Sequence, residues 1–319
     1  MEEAKVPVHE NTIFVVSGPD LYKQANEFSL TALWDDHNVI SLKMAKRREV
    51  LAKKRANEEL IKAAYVEKDD LDYFRPFRHY DRNGLSVYLA SGRGNKLSIP
   101  VKHYIQNLLK LNMEGPYGSE WEAQEKVKRR EMVAPEARYI FVHEVANTNA
   151  KKTKMMLTAE NTSNGFLENG GPLVGFVQYR FIIEEEIPVL YVYELQLEPR
   201  VQGKELGKFL MQLLELIAHK NCMGAVMLTV QKANILAMNF YISKLRYVIS
   251  TVSPSRINPG IGIAKSYEIL CKTFNDEAKT ILEAVLVNDN REMILTFSRI
   301  GDELEETARL TWLIFFRFL

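Results

Sequence analysis

The run VLYVYELQLE, residues 189–198, sets one carboxylate, Glu194, inside an alternating stretch beside Tyr191 and Tyr193. A carboxylate among phenols is equipped for proton transfer. Taken alone, a strand glutamate reads more simply as a solvent-facing side chain. Regular alternation would put Tyr191, Tyr193, Leu195 and Leu197 on one face and Val192, Glu194 and Gln196 on the other. Immediately downstream comes a turn, Gln202-Gly203-Lys204-Glu205-Leu206-Gly207-Lys208, after the strand-ending Pro199. Leu206, Phe209, Leu210, Leu213, Leu214 and Ile217 then recur at helical spacing, so the turn feeds a helix N-terminus. Free N–H groups and the helix dipole there can hold a phosphate, and Lys204 and Lys208 add positive charge. Any strand–turn–helix shares these properties, and a turn without ligand accounts for them equally.

The elements around this segment are legible in outline. A charged helix is expected over 43–62, with seven basic residues and one acidic between Lys43 and Arg55. That run reads either as a solvated face or as an import signal or contact with an acidic surface. Asn83-Gly84 marks a hairpin turn. VKHYIQNLLKLNM reads as a helix with Tyr104, Ile105, Leu108, Leu109 and Leu111 near one side. GPYGSEW reads as a loop carrying Tyr117 and Trp121, EAQEKVKRREM as a charged helix, and ARYIFVHEV as a strand. The Asn/Gly-rich segment 147–172 reads as a mobile loop between strands. GFVQYRFII and VLYVYELQL follow as strands around an EEEIP turn. Helix, AVMLTV strand, ANILAMNFYISKL helix and SYEILCK strand come next. The order calls for an α/β fold with a mixed, mostly antiparallel sheet flanked by helices.

Composition narrows the function classes. The chain has 319 residues, and its 42 basic and 41 acidic residues nearly cancel, so bulk charge does not argue for nucleic-acid binding. Cys222 and Cys271 make neither a disulfide framework nor a zinc pattern, and the scattered histidines imply no metal. The polar start MEEAKVPVHE argues against a secretory signal, and no apolar run reaches membrane-span length.

With these features in place, the strand–turn–helix resembles the acetyl-CoA site of the GCN5-related N-acetyltransferase superfamily. In that superfamily the turn reads Arg or Gln, two residues, Gly, one residue, then Gly or Ala. Asn234, Ala237, Phe240 and Tyr241 in ANILAMNFYISKLRY resemble its second cofactor-contacting segment. Two positions depart: Glu205 replaces the first glycine, and Arg246 stands where a glycine often precedes the final aromatic, Tyr247. HYDRNGLSVYL, NMEGPYGSEWEAQEKVKRREM, YRFIIEEEIPVLYVYELQLE and SPSRINPGIGIAKSYEIL are similar to one branch, the N-alpha-acetyltransferase D enzymes, which acetylate the N-termini of histones 4 and 2A. The resemblance runs from about Met44 to about Lys279, which sets an acetyltransferase domain over 63–279 between an N-terminal extension, 1–42, and a tail, 280–319.

The resemblance implies acetyl-CoA as cosubstrate and Glu194 as general base, with Tyr193 beside it. Desolvation at this mid-strand position would tune the carboxyl for that role. Tyr117 and Trp121 would close over the substrate, with Tyr191, Thr229 and Tyr267 as further peptide contacts. Backbone of Leu195, Gln196 and Leu197, the turn residues Gln202 to Lys208, Asn234, Phe240 and Tyr241 would hold the cofactor. Where the animal enzymes carry an acidic peptide-binding residue this chain has Ile182. Glu184, Glu185 or Glu186 would then either compensate or form a solvated hairpin turn. Histone tails are the implied partners of a monomer in nucleus and cytoplasm, without direct nucleic-acid or membrane binding. Two other readings stay open: an acetyltransferase for lysines or small amines, and a non-catalytic protein binding histone or acetyl-CoA. Finally, SGRGNK, residues 91–96, resembles the start of such tails. It reads as a surface loop more readily than as a pseudo-substrate.

Overall fold

The structure, a computed structural model, describes residues 44–66, 69–145 and 171–283. The expected extension over 1–42, most of the loop over 147–172 and most of the tail over 280–319 lie outside the described residues. The chain divides into two units, 1–56 and 57–319. A helix, α1, covers 44–66, four residues beyond the expected end. Within the first unit its Lys46, Arg47, Arg48, Lys54 and Arg55 are exposed.

The second unit is built on one eight-stranded sheet, in the order β1-β2-β3-β4-β5-β6-β8-β7. Its strands are β1 (His79–Arg82), β2 (Leu85–Arg93), β3 (Arg138–Glu144), β4 (Leu173–Glu184), β5 (Ile187–Leu197), β6 (Ala225–Gln231), β7 (Val248–Ile249) and β8 (Tyr267–Thr273). Only β5 and β6 pair in parallel; the other neighbours are antiparallel. The helices are α2 (Ile99–Tyr117), α3 (Trp121–Met132), α4 (Leu206–Lys220), α5 (Ile235–Asn239), α6 (Pro254–Ile257), α7 (Pro259–Ala264) and α8 (Asp276–Leu282).

Two-residue turns make both hairpins. Asn83 and Gly84 take positive φ between β1 and β2, and Glu185 and Glu186 do so between β4 and β5. The primed turn matches strand twist and needs left-handed backbone at both positions. Asn-Gly satisfies this without strain. Two glutamates do so at a cost of about 1–2 kcal/mol each. The acidic run 184–186 is thus the hairpin turn, while Ile182 packs with Ile187 and Val189.

One sheet face is covered by α4 and by the part of α1 from residue 57 onward. Ala64 joins Leu206, Leu210, Met211, Leu213, Leu214 and Ile217 against Leu190, Val192, Val177 and Tyr179. Each large apolar side chain so buried contributes about 1.5–3 kcal/mol. On the other face, α2 and α3 supply Ile105, Leu108, Leu109, Trp121 and Met132 against Tyr139, Phe141 and Phe176. Leu111, expected on the apolar side of α2, is 67% exposed. Three residues on from Leu108, it has rotated past the contact stripe.

The expected loop GPYGSEW does not exist as a loop. α2 runs through Pro116 to Tyr117, a single 3-10 turn, Gly118–Glu120, follows, and Trp121 opens α3. Gly118, at φ 54°, makes the break possible. SGRGNK is not a loop either. Its first three residues end β2, paired with β3, and Ser91 Oγ donates to Asp69. A paired strand cannot double as a pseudo-substrate.

Under α1 lies a buried ion pair. Arg138 Nη1 donates to Asp70 Oδ2 at 3.1 Å, and its Nη2 donates to the carbonyls of Ala64 and Tyr65. The Tyr179 hydroxyl donates to the same Asp70 carboxylate. Burial pushes the Asp70 carboxyl above the usual range despite Arg138. Replacing Arg138 by Met strands that carboxylate and should cost about 3–5 kcal/mol in urea unfolding, whereas the double replacement Asp70→Leu, Arg138→Met should recover most of the loss. A single variant as stable as the double would show that the pair does not hold α1 to the sheet.

Candidate active site

The site begins with an extra residue in β5. Gln178 faces Glu194 across the ladder, but the next β4 residue, Tyr179, faces Val192, so Tyr193 has no partner of its own. This β-bulge reverses the alternation beyond it. Val192, Leu195 and Leu197 turn to the α1/α4 face, with Leu190. Glu194 and Gln196 share the opposite face with Tyr191, whose ring lies 5.5 Å from that of Tyr193. The expected separation of the tyrosines from Glu194 is therefore wrong. Arg180, opposite Tyr191, stacks over the Tyr193 ring at 4.3 Å.

Glu194 is buried, and both of its oxygens have partners. Lys128 Nζ, from α3, binds Oε1 directly, and Gln196 Nε2 donates to Oε2 at 2.8 Å. Gln196 is oriented in turn by Asn112, whose Nδ2 donates to its Oε1 at 3.0 Å. Lys128 also lies 5.5 Å from the centre of the Tyr117 ring. Burial pulls the Lys128 ammonium down, but Glu194, with Tyr117 and Glu131 behind it, outweighs that and holds it above the ordinary lysine range. The carboxylate therefore does not sit among phenols under desolvation alone. Glu194 nevertheless makes itself felt by Tyr139 and Tyr241, whose hydroxyls burial and then this carboxylate push far up.

α3 is aimed by the sheet beneath it. Gln178 Nε2 and Arg180 Nη2 both donate to the Glu131 carbonyl, at 3.0 and 2.9 Å, and the Tyr139 hydroxyl donates to the Met132 carbonyl at 2.9 Å. Both carbonyls lie in the last turn of α3, beyond the reach of its regular ladder, and that of Glu131 also accepts from the Ala134 N–H at 3.3 Å. Lys128 was missed in the sequence because its helix reads as uniformly charged. The signal was there: Trp121, Lys128 and Met132 follow one helical stripe whose two ends are buried.

Beyond Val192↔Leu228, β5 and β6 no longer pair, although β5 runs on to Leu197 and β6 to Gln231. The strands open into a cleft. The Tyr191 hydroxyl and Thr229 Oγ1 meet across it at 2.6 Å. Burial pushes the Tyr191 hydroxyl up to about 12, and Tyr267 at the start of β8 lies close enough to contribute. Ser266 Oγ donates to Glu120 Oε2 at 3.1 Å, tying the α2–α3 junction to the same end of β8. Trp121 is core rather than lid: it is 6% exposed and packs with Met132 and Leu109. Tyr117, 5.9 Å from the Trp121 ring, is half-buried at the surface of this cluster.

At the far end of β5 the turn opens α4 without a side-chain cap. The first bond of its ladder is Phe209 N–H to the Glu205 carbonyl, 3.1 Å. The N–H groups of Leu206, Gly207 and Lys208 therefore precede it and are available to an anion. Glu205 takes φ 62° and is exposed, and Arg246 takes φ 63°. Both departures from glycine thus fall on left-handed backbone. Gln202 Nε2 donates to the Leu197 carbonyl at 2.9 Å, and the Lys204 carbonyl accepts from Tyr80 and Asn83, which pins the turn from both sides. A Cβ on Gly207 would come within 3.3 Å of the Phe240 ring, so this glycine lets α4 and the segment after α5 meet. Asn234 caps α5, its Oδ1 accepting from the Ala237 N–H at 3.1 Å, and Tyr241 is buried against Phe240 and Tyr247. A free strand edge leading to an uncapped helix start fits an extended thioester cosubstrate ending in a pyrophosphate. Among the described residues, no group of three or more His, Cys, Asp or Glu could hold a metal ion.

Residues 120–245 match the acetyltransferase (GNAT) family. The fold is similar to that of the PaiA N-acetyltransferase of Thermoplasma acidophilum in complex with coenzyme A, at 18% identity over 60% of this chain and 100% of that one, TM-score 0.38. Two Arabidopsis thaliana proteins in complex with bisubstrate analogues are also similar. NAA60 is 11% identical over 59% of this chain and 99% of its own, TM-score 0.37. Naa50 is 15% identical over 58% and 99%, TM-score 0.35. Residues 120–245 thus carry the match to the acetyltransferase (GNAT) family, within a mixed eight-stranded sheet of the GNAT fold.

Proposed function

We propose that the protein acetylates the α-amine of histones 4 and 2A, at N-termini beginning Ser-Gly-Arg-Gly, with Glu194 as the proton acceptor. The observation that carries this reading is the cleft between β5 and β6. The bulge brings Tyr191, Tyr193 and Glu194 to one face there, and Thr229 bonds to Tyr191 across the opening. Residues picked for peptide contact thus stand next to the carboxylate picked for base work. An N-terminus is a slender nucleophile suited to a narrow opening.

Acetyl-CoA supplies the activated acetyl group. The chain's own residues do the rest. The N–H groups of Leu206, Gly207 and Lys208, with Lys204 and Lys208, receive the pyrophosphate, and the open edge of β5 from Leu195 to Leu197 receives the extended arm. Backbone N–H groups near Leu195 would receive the carbonyl oxygen as charge builds on it. Tyr117, Tyr191 and Tyr267 surround the entering residue. The α-ammonium, of ordinary pKa about 7.7–8.0, passes its proton to Glu194 directly or through water, and its lone pair is then free to attack. Asn234, already spent on its own helix, and Trp121, spent on the core, support the site rather than touch its ligands. Action on histone tails places the protein in nucleus and cytoplasm, as a monomer binding neither DNA nor membrane.

The decisive experiment is transfer from labelled acetyl-CoA to the peptide SGRGKGGKG and to its N-terminally blocked twin. Label on the free peptide alone supports the proposal. Label on both makes the enzyme lysine-directed, and cofactor binding without label on either makes it a binding protein. Glu194→Gln should lower kcat by about 10²–10⁴-fold and leave coenzyme A affinity unchanged in calorimetry; undiminished turnover would remove Glu194 from the base role.

Glu205 gives a separate test. Its left-handed backbone costs about 1–2 kcal/mol, and its charge stands at the helix start that would receive a pyrophosphate. Glu205→Gly should raise stability in thermal unfolding and tighten coenzyme A about two- to fivefold, in line with roughly 0.3–1 kcal/mol for a charge at a helix end. Equal affinity would mean that the carboxylate points clear of the phosphates.

A further inference from the structure

We propose that Lys128 is a positioning residue for acetyl transfer, holding the buried Glu194 in its proton-accepting form. The inference rests on the role given to Glu194 above. A carboxylate that is 5% exposed on its side chain would ordinarily keep its proton to higher pH, because burial disfavours charge. Left unopposed, burial this deep would carry a carboxyl past that useful tuning and leave it protonated at neutral pH. The Lys128 ammonium, itself only 12% exposed, sits directly on Oε1, and an opposite charge in contact favours the ionised form of a carboxylate. Such a pair is expensive to bury and weak as a source of stability, since the desolvation of both ions offsets their attraction. Its place at the bulge, on the buried carboxylate beside the cleft tyrosines, argues for a purpose other than stability.

The other charged and titratable groups around Glu194 do not replace it. Arg180 from β4 is engaged by the Tyr193 ring and the Glu131 carbonyl. Glu131 from α3 is of the wrong sign. Tyr139 from β3 and Tyr241 after α5 are neutral phenols held far from ionisation, and Tyr117 from α2 faces Lys128. Gln196 contributes one neutral hydrogen bond. Lys128 is thus the cation in direct contact with the carboxylate. Its own setting keeps it charged: Glu194 and the Tyr117 ring both favour the ammonium.

The test is the pH dependence of kcat for acetylation of SGRGKGGKG by wild type, Lys128→Met, Lys128→Gln and Lys128→Arg, each first shown to bind coenzyme A. Without the ammonium the carboxyl should hold its proton longer, so the acid limb of the profile should move up by about 1–3 pH units in the Met and Gln variants. Their kcat at pH 7 should fall at least tenfold and recover as pH rises. Lys128→Arg should restore the limb toward that of wild type. A Met or Gln variant that binds coenzyme A and loses turnover equally at every pH would overturn the proposal and leave Lys128 a packing residue. So would an unshifted limb. Failure of the underlying reading looks different: Glu194→Gln would then retain wild-type kcat.

Discussion

The arrangement of this site depends on one unpaired residue. Tyr193 enters β5 without a partner in β4, and the strand beyond it presents its opposite faces. Without the bulge Glu194 would point to the α1/α4 face, among Leu190, Val192 and the leucines of α4, where an ionised carboxylate has no partner. With it, Glu194 and Gln196 turn to the side of α2 and α3, where Lys128 and Asn112 meet them. A single register step moves a whole half-strand between environments, because side chains alternate with period two. The same half-strand is the part of β5 that β6 no longer pairs, so its edge is open where its face is polar.

The polar cluster is held from outside as much as from within. The Gln178, Arg180 and Tyr139 side chains fix the last turn of α3 by taking its carbonyls. Those hydrogen bonds set the height and rotation of Lys128 over the sheet. An ion pair is favourable in the interior only when its geometry is maintained and its remaining lone pairs are filled. Here Gln196 fills one oxygen and Lys128 the other. The shell that positions the pair therefore matters as much as the pair itself.

How much of this was legible follows from what each residue depends on. The β1–β2 turn and α4 rest on local pattern, and they were readable, as was a mixed, mostly antiparallel sheet. The turn ahead of α4 was readable too, since Gly203, the helix start and its lysines are adjacent in sequence. The faces of β5 were not, because a bulge is set by the partner strand and leaves no mark in the alternation of VLYVYELQL. Trp121 was misread because the two glycines just ahead of it, Gly115 and Gly118, suggested a loop. One of them, Gly118, instead terminates α2 in a conformation only briefly non-helical. Lys128 was hidden among six other basic and acidic residues of its helix, since charge alone does not say which side chain is covered.

Glu205 and Arg246 carry the remaining lesson. In each case the sequence showed a side chain where a glycine was expected, and the backbone is left-handed in both. Glu185 and Glu186 add two more such positions, so four charged side chains bear a conformation that glycine takes freely. At roughly 1–2 kcal/mol each, the strain is comparable to the net stability of an ordinary domain. It persists because the elements on either side are over-determined: β4 and β5 form the longest ladder of the sheet, and α4 buries seven residues directly after Glu205. Fixed neighbours can impose a backbone angle that the residue itself disfavours. The turn that would hold a pyrophosphate is thus dictated by the strand before it and the helix after it, which is how its shape survives the loss of its glycine.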